Sequence, residues 1–380
     1  MSGATAALRA RLVALLEPLA IGDELLPGVR LVDASTELGL RLTFAVDRGE
    51  LHVEVTPAAA HARHAARSAH LTFAYRGHAP SAQGQAVCVE IARRVAGRDA
   101  AFVAALATDG DPAAPRVRSV IVDRVLEPAG SPDARFYTCS PYVGCLIGCR
   151  FCYAQSRLAP LRAATGLPSV PWGSWVDVRE NAAAVLADEL TRLPRAPIKF
   201  CPIVSDPYHA VEARLGLTRA CLLAIAAATA PPPVLLLTRS ALVTRDLDVL
   251  AALPWAGVGV SLPTVDDAVR AHFEPRAASV PERLAALTAL AAAGVRTIAV
   301  VQPMLPGPVD ELADALAARA GSVSLDVLHG EENAGPLFDH HPEARTATWQ
   351  AERRAALVVA LAARGVPVWS GELPPDLPAA

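Results

Sequence analysis

From residue 135 to residue 328 the chain alternates short apolar runs with longer segments of helical period, and no other feature narrows its fold as far. Strands are expected at residues 135–139, 198–204, 234–238, 257–262, 297–302 and 323–328. Helices are expected between them at 182–192, 218–229, 244–253, 280–293 and 309–320. Neighbouring strands joined by helix-length crossovers run parallel and wind right-handed, so six such repeats predict an open six-stranded (β/α) barrel, smaller than the closed eight-fold one. Barrels of this kind assemble their chemistry at the C-terminal ends of the strands. Those ends are where functional residues are sought.

The first strand runs into Ser140 to Arg157, SPYVGCLIGCRFCYAQSR, where Cys145, Cys149 and Cys152 stand in a C-x3-C-x2-C spacing. A closed zinc site asks for four side chains, and a cubane iron–sulfur cluster for one ligand on each iron. Three thiols in one loop therefore leave a metal position open to an exchangeable molecule. A zinc knuckle or a redox triad would also use clustered cysteines, but no Cys or His follows at finger spacing. The other four cysteines, Cys88, Cys139, Cys201 and Cys221, are scattered and the total of seven is odd, which does not describe a disulfide framework.

At 380 residues the chain is long enough for a main domain and an additional one. We read residues 1–117 as a small α+β domain: a helix at 4–19 that Pro18 helps to end, a hairpin of 40–46 and 51–55 around Asp47-Arg48-Gly49-Glu50, a helix at 58–69, a strand at 70–76 and a helix at 85–95. His61 and His64 lie one helical turn apart without acidic company and read as solvated or capping residues before they read as metal ligands. A Pro-containing stretch at 109–117 is the expected linker, 130–338 the barrel core, and 339–380 an extension whose helix (348–364) and strand (366–369) are placed to close the open barrel edge.

The formal net charge of -3, with a pI near 6.4, supplies no basic field for nucleic acid or an anionic membrane. Lys199 is the only lysine, and the 52% hydrophobic content comes largely from Ala. No leading signal segment and no apolar run of about 20 residues is present, so a cytoplasmic, reducing location without a membrane span is expected.

Further polar residues recur where the strands end. The second strand ends Val204-Ser205-Asp206-Pro207-Tyr208, with Glu212 and Thr218-Arg219 beyond it. The third ends Leu237-Thr238-Arg239-Ser240 and the fourth Val258-Gly259-Val260-Ser261. His272-Phe273-Glu274-Pro275-Arg276, Glu282-Arg283 and Gln302-Pro303-Met304-Leu305-Pro306-Gly307 follow. Each also has an ordinary reading: Ser-Asp-Pro is a common turn and cap, Glu274 and Arg276 could form a surface ion pair, and the Pro-rich run turns the chain.

Taken together, the cysteine loop with Phe151 before and Tyr153 after its third thiol, the Pro141-Tyr142-Val143-Gly144 lead-in and the ordered downstream motifs resemble the radical S-adenosylmethionine (radical SAM) superfamily. The lead-in is most similar to the spore photoproduct lyase and photolyase-like group. The resemblance spans residues 130 to 340 and implies an α/β fold, a partial (β/α)6 TIM-like barrel, to which the N-terminal α+β domain read above from the residues is added. It implies that Cys145, Cys149 and Cys152 hold a [4Fe-4S] cluster, that SAM completes the fourth iron, and that Tyr153, Ser205, Asp206, Arg239 and Ser261 bind SAM. The activity it implies is of lyase or oxidoreductase type: reductive cleavage of SAM to a 5'-deoxyadenosyl radical that takes hydrogen from a substrate, with flavodoxin or ferredoxin as electron donor. A peptide, protein or metabolite is favoured as substrate over nucleic acid. Spore photoproduct lyases carry a hydrogen-donating cysteine where this chain has Val204, which weighs against their repair reaction. Tyr208, Tyr142 and Cys201 are the candidates for a hydrogen relay. The competing readings are a lyase acting on a nucleic-acid lesion and a non-catalytic iron–sulfur or zinc scaffold.

Overall fold

The computed structural model describes residues 3–36, 40–47, 49–57, 65–77, 79–106, 116–131, 134–164, 167, 170–200, 204–325, 338 and 340–378. Two units share the chain: Met1–Arg116, Pro128–Phe136 and Ala154–Pro171 form one, and Val117–Glu127, Tyr137–Tyr153 and Trp172–Ala380 the other.

Strands β1 (Ala134–Cys139, of which Tyr137–Cys139 belong to the second unit), β2 (Ile198–Phe200), β3 (Val234–Thr238), β4 (Ala256–Ser261), β5 (Arg296–Val301), β6 (Ser322–Leu325) and β7 (Val368–Trp369) lie side by side in sequence order, each parallel to the next. The strand Leu126–Ser131 flanks β1 at the far edge. This is the partial (β/α)6 barrel that the alternating pattern predicts, left open because, among the described residues, its end strands do not pair with one another. Strand β4 is buried along its whole length and β5 everywhere but Arg296, as parallel strands covered on both faces must be.

The helices are α1 (Ala182–Arg192), α2 (Leu217–Ala226), α3 (Leu247–Ala252), α4 (Asp267–Phe273), α5 (Val280–Ala292), α6 (Val309–Ala317) and α7 (Ala347–Ala363). Helix α5 starts in a capping box: the Ser279 hydroxyl accepts from the Glu282 N–H while the Glu282 carboxylate accepts from the Ser279 N–H. Glu282 thus turns out to be a helix cap. The helix expected at 244–253 is split into a 3-10 turn, Ala241–Asp246, and α3, since Ser240 caps the earlier turn by accepting from the Leu242 N–H. Strand β2 is described over Ile198–Phe200, and residues 201–203 of the expected strand, with Cys201, lie outside the described residues. Strand β7 extends the sheet beyond β6, the edge at which the C-terminal extension was expected.

The first unit holds a six-stranded antiparallel sheet in the order Glu24–Leu26, Val29–Ser35, Leu40–Val46, Gly49–Pro57, Leu71–Gly77 and Ala66–Arg67. Its core draws on Leu8 and Leu12 of the helix Gly3–Ala14, and on Val87, Ile91 and Val95 of the helix Ser81–Val95. The first helix is shorter than the sequence suggests, because i→i−3 bonds tighten the chain at Leu16 and Glu17 just ahead of Pro18. Part of the expected 58–69 helix is a strand instead. Ala66–Arg67 pairs with Phe73 and Thr72, and Ser68 closes the turn by accepting from the Leu71 N–H. Residues 58–64, with His61 and His64, lie outside the described residues. Within this unit Glu54 meets Arg157 at 2.5 Å, both side chains buried. Burial pushes the Glu54 carboxyl up, but Arg157, Arg76 and Arg41 outweigh it and hold it at about 2. Among the described residues no helix is long and apolar enough to cross a membrane.

Candidate functional site

The cysteine loop follows β1 directly and is pinned at its root by backbone pairing. Tyr142–Val143 runs antiparallel to Val176–Arg179, which is parallel to Val117–Val120. The Gly144 N–H donates to the Val204 carbonyl beyond the end of β2 at 3.0 Å. Two glycines make the turns of the loop, Gly144 just before Cys145 and Gly148 between Cys145 and Cys149. Gly144 has φ +84 and lies against the Trp175 ring, which an added Cβ would meet at 2.5 Å. Gly148 has φ +69 and packs on Arg276, whose Nη2 an added Cβ would meet at 2.4 Å. Both positions combine a left-handed backbone with a lack of room, a requirement that only glycine meets.

Arg276 explains the second close approach. Its Nε donates to the Leu146 carbonyl and its Nη2 to the Gly173 carbonyl, both at 2.6 Å, so one guanidinium fork fixes the loop's crest. The expected alternative, a surface pair of Arg276 with Glu274, does not hold: Glu274 is wholly buried and bound to other arginines. Cys145, Ile147, Cys149 and Phe151 pack in an apolar layer with Phe273, Leu305, Phe338 and Ala344. Cys152 is half-buried at its side.

Burial pushes the Cys145 thiol up to about 12, assisted by the Asp206 charge and opposed by hydrogen bonds from the backbone N–H groups of Asp206 and Ile147. Cys149 is raised well above the usual thiol value by burial, with Arg239 pulling it back down. A bound cation reverses that logic, since coordination deprotonates a thiol outright. Among the described residues no three His, Cys, Asp or Glu side chains converge on one ion position. A cubane does not ask them to, because each thiolate takes its own iron. Three thiols, two of them buried and one half-buried, two backbone N–H donors aimed at one sulfur, and glycines where the chain turns tightest suit such a group.

Around the loop the strand ends are cross-linked. The Asp206 carboxylate accepts from the Tyr208 N–H (2.8 Å), the Thr238 hydroxyl (2.7 Å) and the Arg239 N–H (2.7 Å), which ties the end of β2 to the end of β3. Burial still raises its pKa above the ordinary carboxylate range despite these donors. Arg239 lies over the Phe151 ring, 5.6 Å from its centroid. Its Nε donates to Glu274 at 2.7 Å and its Nη2 to the Gln302 carbonyl at 3.0 Å. The other Glu274 oxygen accepts from Arg283 at 2.5 Å. Arg283, itself wholly buried, also donates to the Ser261 carbonyl at 2.8 Å. Burial raises the Glu274 pKa, and the charges of Arg283 and Arg239 more than offset it, so the carboxyl lies below its usual range.

A second network lies behind the loop. The Tyr142 hydroxyl donates to Glu212 at 2.5 Å, and Arg245 donates to both Glu212 (2.5 Å) and Asp246 (2.8 Å). The Tyr208 hydroxyl donates to Asp246 at 2.9 Å. Burial, together with the neighbouring carboxylate, drives both tyrosine pKa values upward and keeps the hydroxyls protonated. His209 stands edge-on to Tyr142 at 4.5 Å between ring centroids, and its Nε2 is buried without a hydrogen-bond partner among the described residues.

The structure thus brings together Cys145, Cys149, Cys152, Asp206 and Arg239, and joins Ser261 to them through Arg283. Ser205 is buried, its hydroxyl donating to the Asp206 carbonyl at 3.3 Å. Tyr153 is half-buried next to Cys152 in the chain. Tyr142 and Tyr208 belong to the network behind the loop. Sequence reasoning missed Thr238, His209 and the loop-clamping use of Arg276. Only Arg276 had a signal, a charge directly after the Phe273-Glu274-Pro275 turn.

The loop after the first strand of this open parallel α/β barrel carries three cysteines, and it lies inside a segment that a known family matches. Residues 139–320 match the Radical SAM superfamily, and the chain carries a radical SAM domain. Members of that superfamily use SAM and an iron–sulfur cluster. The chain is 32% identical over 204 residues to an uncharacterized protein of Mycobacterium tuberculosis, covering 51% of this chain and 58% of that one. It is 29% identical over 185 residues to an uncharacterized protein of Methanocaldococcus jannaschii, covering 49% and 66%. The matches span less than two thirds of either relative. Spore photoproduct lyase complexed with dinucleoside spore photoproduct superposes with a TM-score of 0.45 at 19% identity, over 67% of this chain and 82% of that one.

Proposed function

We propose that this chain is a radical SAM enzyme in which Cys145, Cys149 and Cys152 ligate a [4Fe-4S] cluster whose remaining iron is left for SAM. When bound, this pair supplies reductive cleavage of SAM and a 5'-deoxyadenosyl radical that takes a hydrogen atom from the substrate. The observation that carries the reading is the set of three thiols on the loop after the first barrel strand, Cys145 and Cys149 buried and Cys152 half-buried, inside the segment that matches the superfamily.

The chain's own residues bind, orient and exclude water. Arg239 and the hydroxyls of Ser205, Ser261 and Tyr153 serve the polar parts of SAM. Asp206 acts as a positioning residue, because its carboxylate holds the backbone N–H of Arg239 and the Thr238 hydroxyl. Phe151, Phe273 and Phe338 form an apolar wall that keeps water from the thiols. Tyr142 and Tyr208 position the loop, since each hydroxyl is committed to a carboxylate. A low-potential carrier of the flavodoxin or ferredoxin type supplies the electron.

The substrate is an organic molecule of the peptide, protein or metabolite class. A net charge of -3 gives nucleic acid no general electrostatic attraction. The test is anaerobic reconstitution with iron and sulfide, followed by SAM and dithionite. Accumulation of 5'-deoxyadenosine is expected. An intact cluster that yields none would favour a non-catalytic scaffold.

A further inference from the structure

Arg239, Glu274 and Arg283 form a bonded row of two cations around one anion, and Arg239 is the member that lies against the cysteine loop. Arg239 lies over Phe151, between Cys149 and Cys152 in the chain, and bonds Glu274. Arg283 is the far member, held by Glu274, the Ala278 carbonyl and the Ser261 carbonyl. Glu274 and Arg283 have no exposed surface, and the Arg239 side chain keeps 13% of its own. The row itself carries one net positive charge in a region with little water to screen it, and two other charged groups at the loop, Asp206 against the Arg239 N–H and Arg276 on the crest, are of opposite sign and leave that balance unchanged. Coulomb interactions there are several-fold stronger than at an exposed site. Breaking such a row leaves an unpaired buried charge, whereas apolar residues of the same volume would fill the space at no such cost. Packing alone does not explain why charge is kept here.

Resting on the function proposed above, we infer that this row acts as an electrostatic positioning device that sets the reduction potential of the cluster held by Cys145, Cys149 and Cys152. Reduction adds one electron from the donor and hence one unit of negative charge beside the row. A net positive neighbour stabilises the reduced form, and surrounding charge is among the factors that spread iron–sulfur potentials widely. Glu274 is the moderating member, since its carboxylate offsets one of the two cations.

The test is a potentiometric titration of the reconstituted full chain without SAM, using dithionite and mediators and following the reduced cluster by electron paramagnetic resonance. Glu274→Gln keeps the shape and removes the anion, so its reduced-to-oxidised ratio at a fixed potential should rise about tenfold, a shift of about 59 mV upward for a one-electron couple. Arg239→Gln removes a cation and should shift the potential downward by a similar amount. Arg239→Lys keeps the charge and should leave it near the wild type. A general loosening of the loop would move both Gln variants in one direction, so shifts of the same sign overturn the inference. So does an unmoved potential in either variant that retains its cluster. Should Glu274→Gln fail to fold, the Arg239 pair decides alone: equal potentials for the Lys and Gln forms overturn the inference. A wild-type chain that takes up no cluster overturns the underlying functional reading instead, which keeps the two failures apart.

Discussion

At the scale of single residues the site is defined by what small changes would do to it. Replacing Cys145, Cys149 or Cys152 with Ala should each abolish iron and sulfide uptake, read as loss of visible absorption after reconstitution, because no other thiol lies in the loop. Gly148→Ala places a Cβ 2.4 Å from the Arg276 Nη2 at φ +69, so we expect a loss of about 1–2 kcal/mol in denaturant unfolding together with lower iron retention. His209 gives a pH signature. Burial lowers its pKa from 6.5 to about 4, so the unfolded chain binds a proton that the folded one refuses. Its contribution is intact above pH 6.5, declines as the pH falls toward 4, and is on the order of 3 kcal/mol when fully lost. Unfolding titrations of His209→Gln should lack that slope between pH 6.5 and 4, and an unchanged slope would assign it to other groups. The thiols were legible because their spacing is local in sequence. Glu274 was not, because its partners Arg239 and Arg283 lie 35 and 9 residues away, and charged residues ahead of a helix ordinarily face water.

At the scale of elements the cysteine loop is held from two sides, by the Arg276 fork on its crest and by the Tyr142–Glu212 bond at its root. Arg276→Met should therefore speed hydrogen exchange across residues 144–152 while leaving β3 to β5 protected, and uniform deprotection would show that Arg276 supports the whole unit. Tyr142→Phe removes one donor from a carboxylate that keeps Arg245 and the Thr218 N–H, so a loss near 1 kcal/mol is expected in thermal or denaturant unfolding. The barrel strands could be read from the sequence because burial on both faces writes them as continuous apolar runs. The small sheet at the loop's root could not. Its strands Tyr142–Val143, Val176–Arg179 and Val117–Val120 are short and mix polar with apolar residues, so no period emerges. The stretch at 66–67 misled for a related reason: an Ala-rich composition favours helix locally, and pairing with Phe73 and Thr72 overrides it.

At the scale of the whole molecule, charge and the unclosed metal position bear on function together. A chain with net charge -3 should bind nucleic acid weakly and without a steep salt dependence, whereas affinity that falls by orders of magnitude between low and physiological salt would restore the nucleic-acid reading. The central claim is that one iron is left without a protein ligand so that SAM can reach it. The most direct measurement is the electron paramagnetic resonance spectrum of the reduced, reconstituted chain before and after SAM is added. We expect full iron loading and a spectrum that changes on addition of SAM. Thiols closed around zinc, or a fully loaded cluster whose spectrum SAM leaves unchanged, would contradict it.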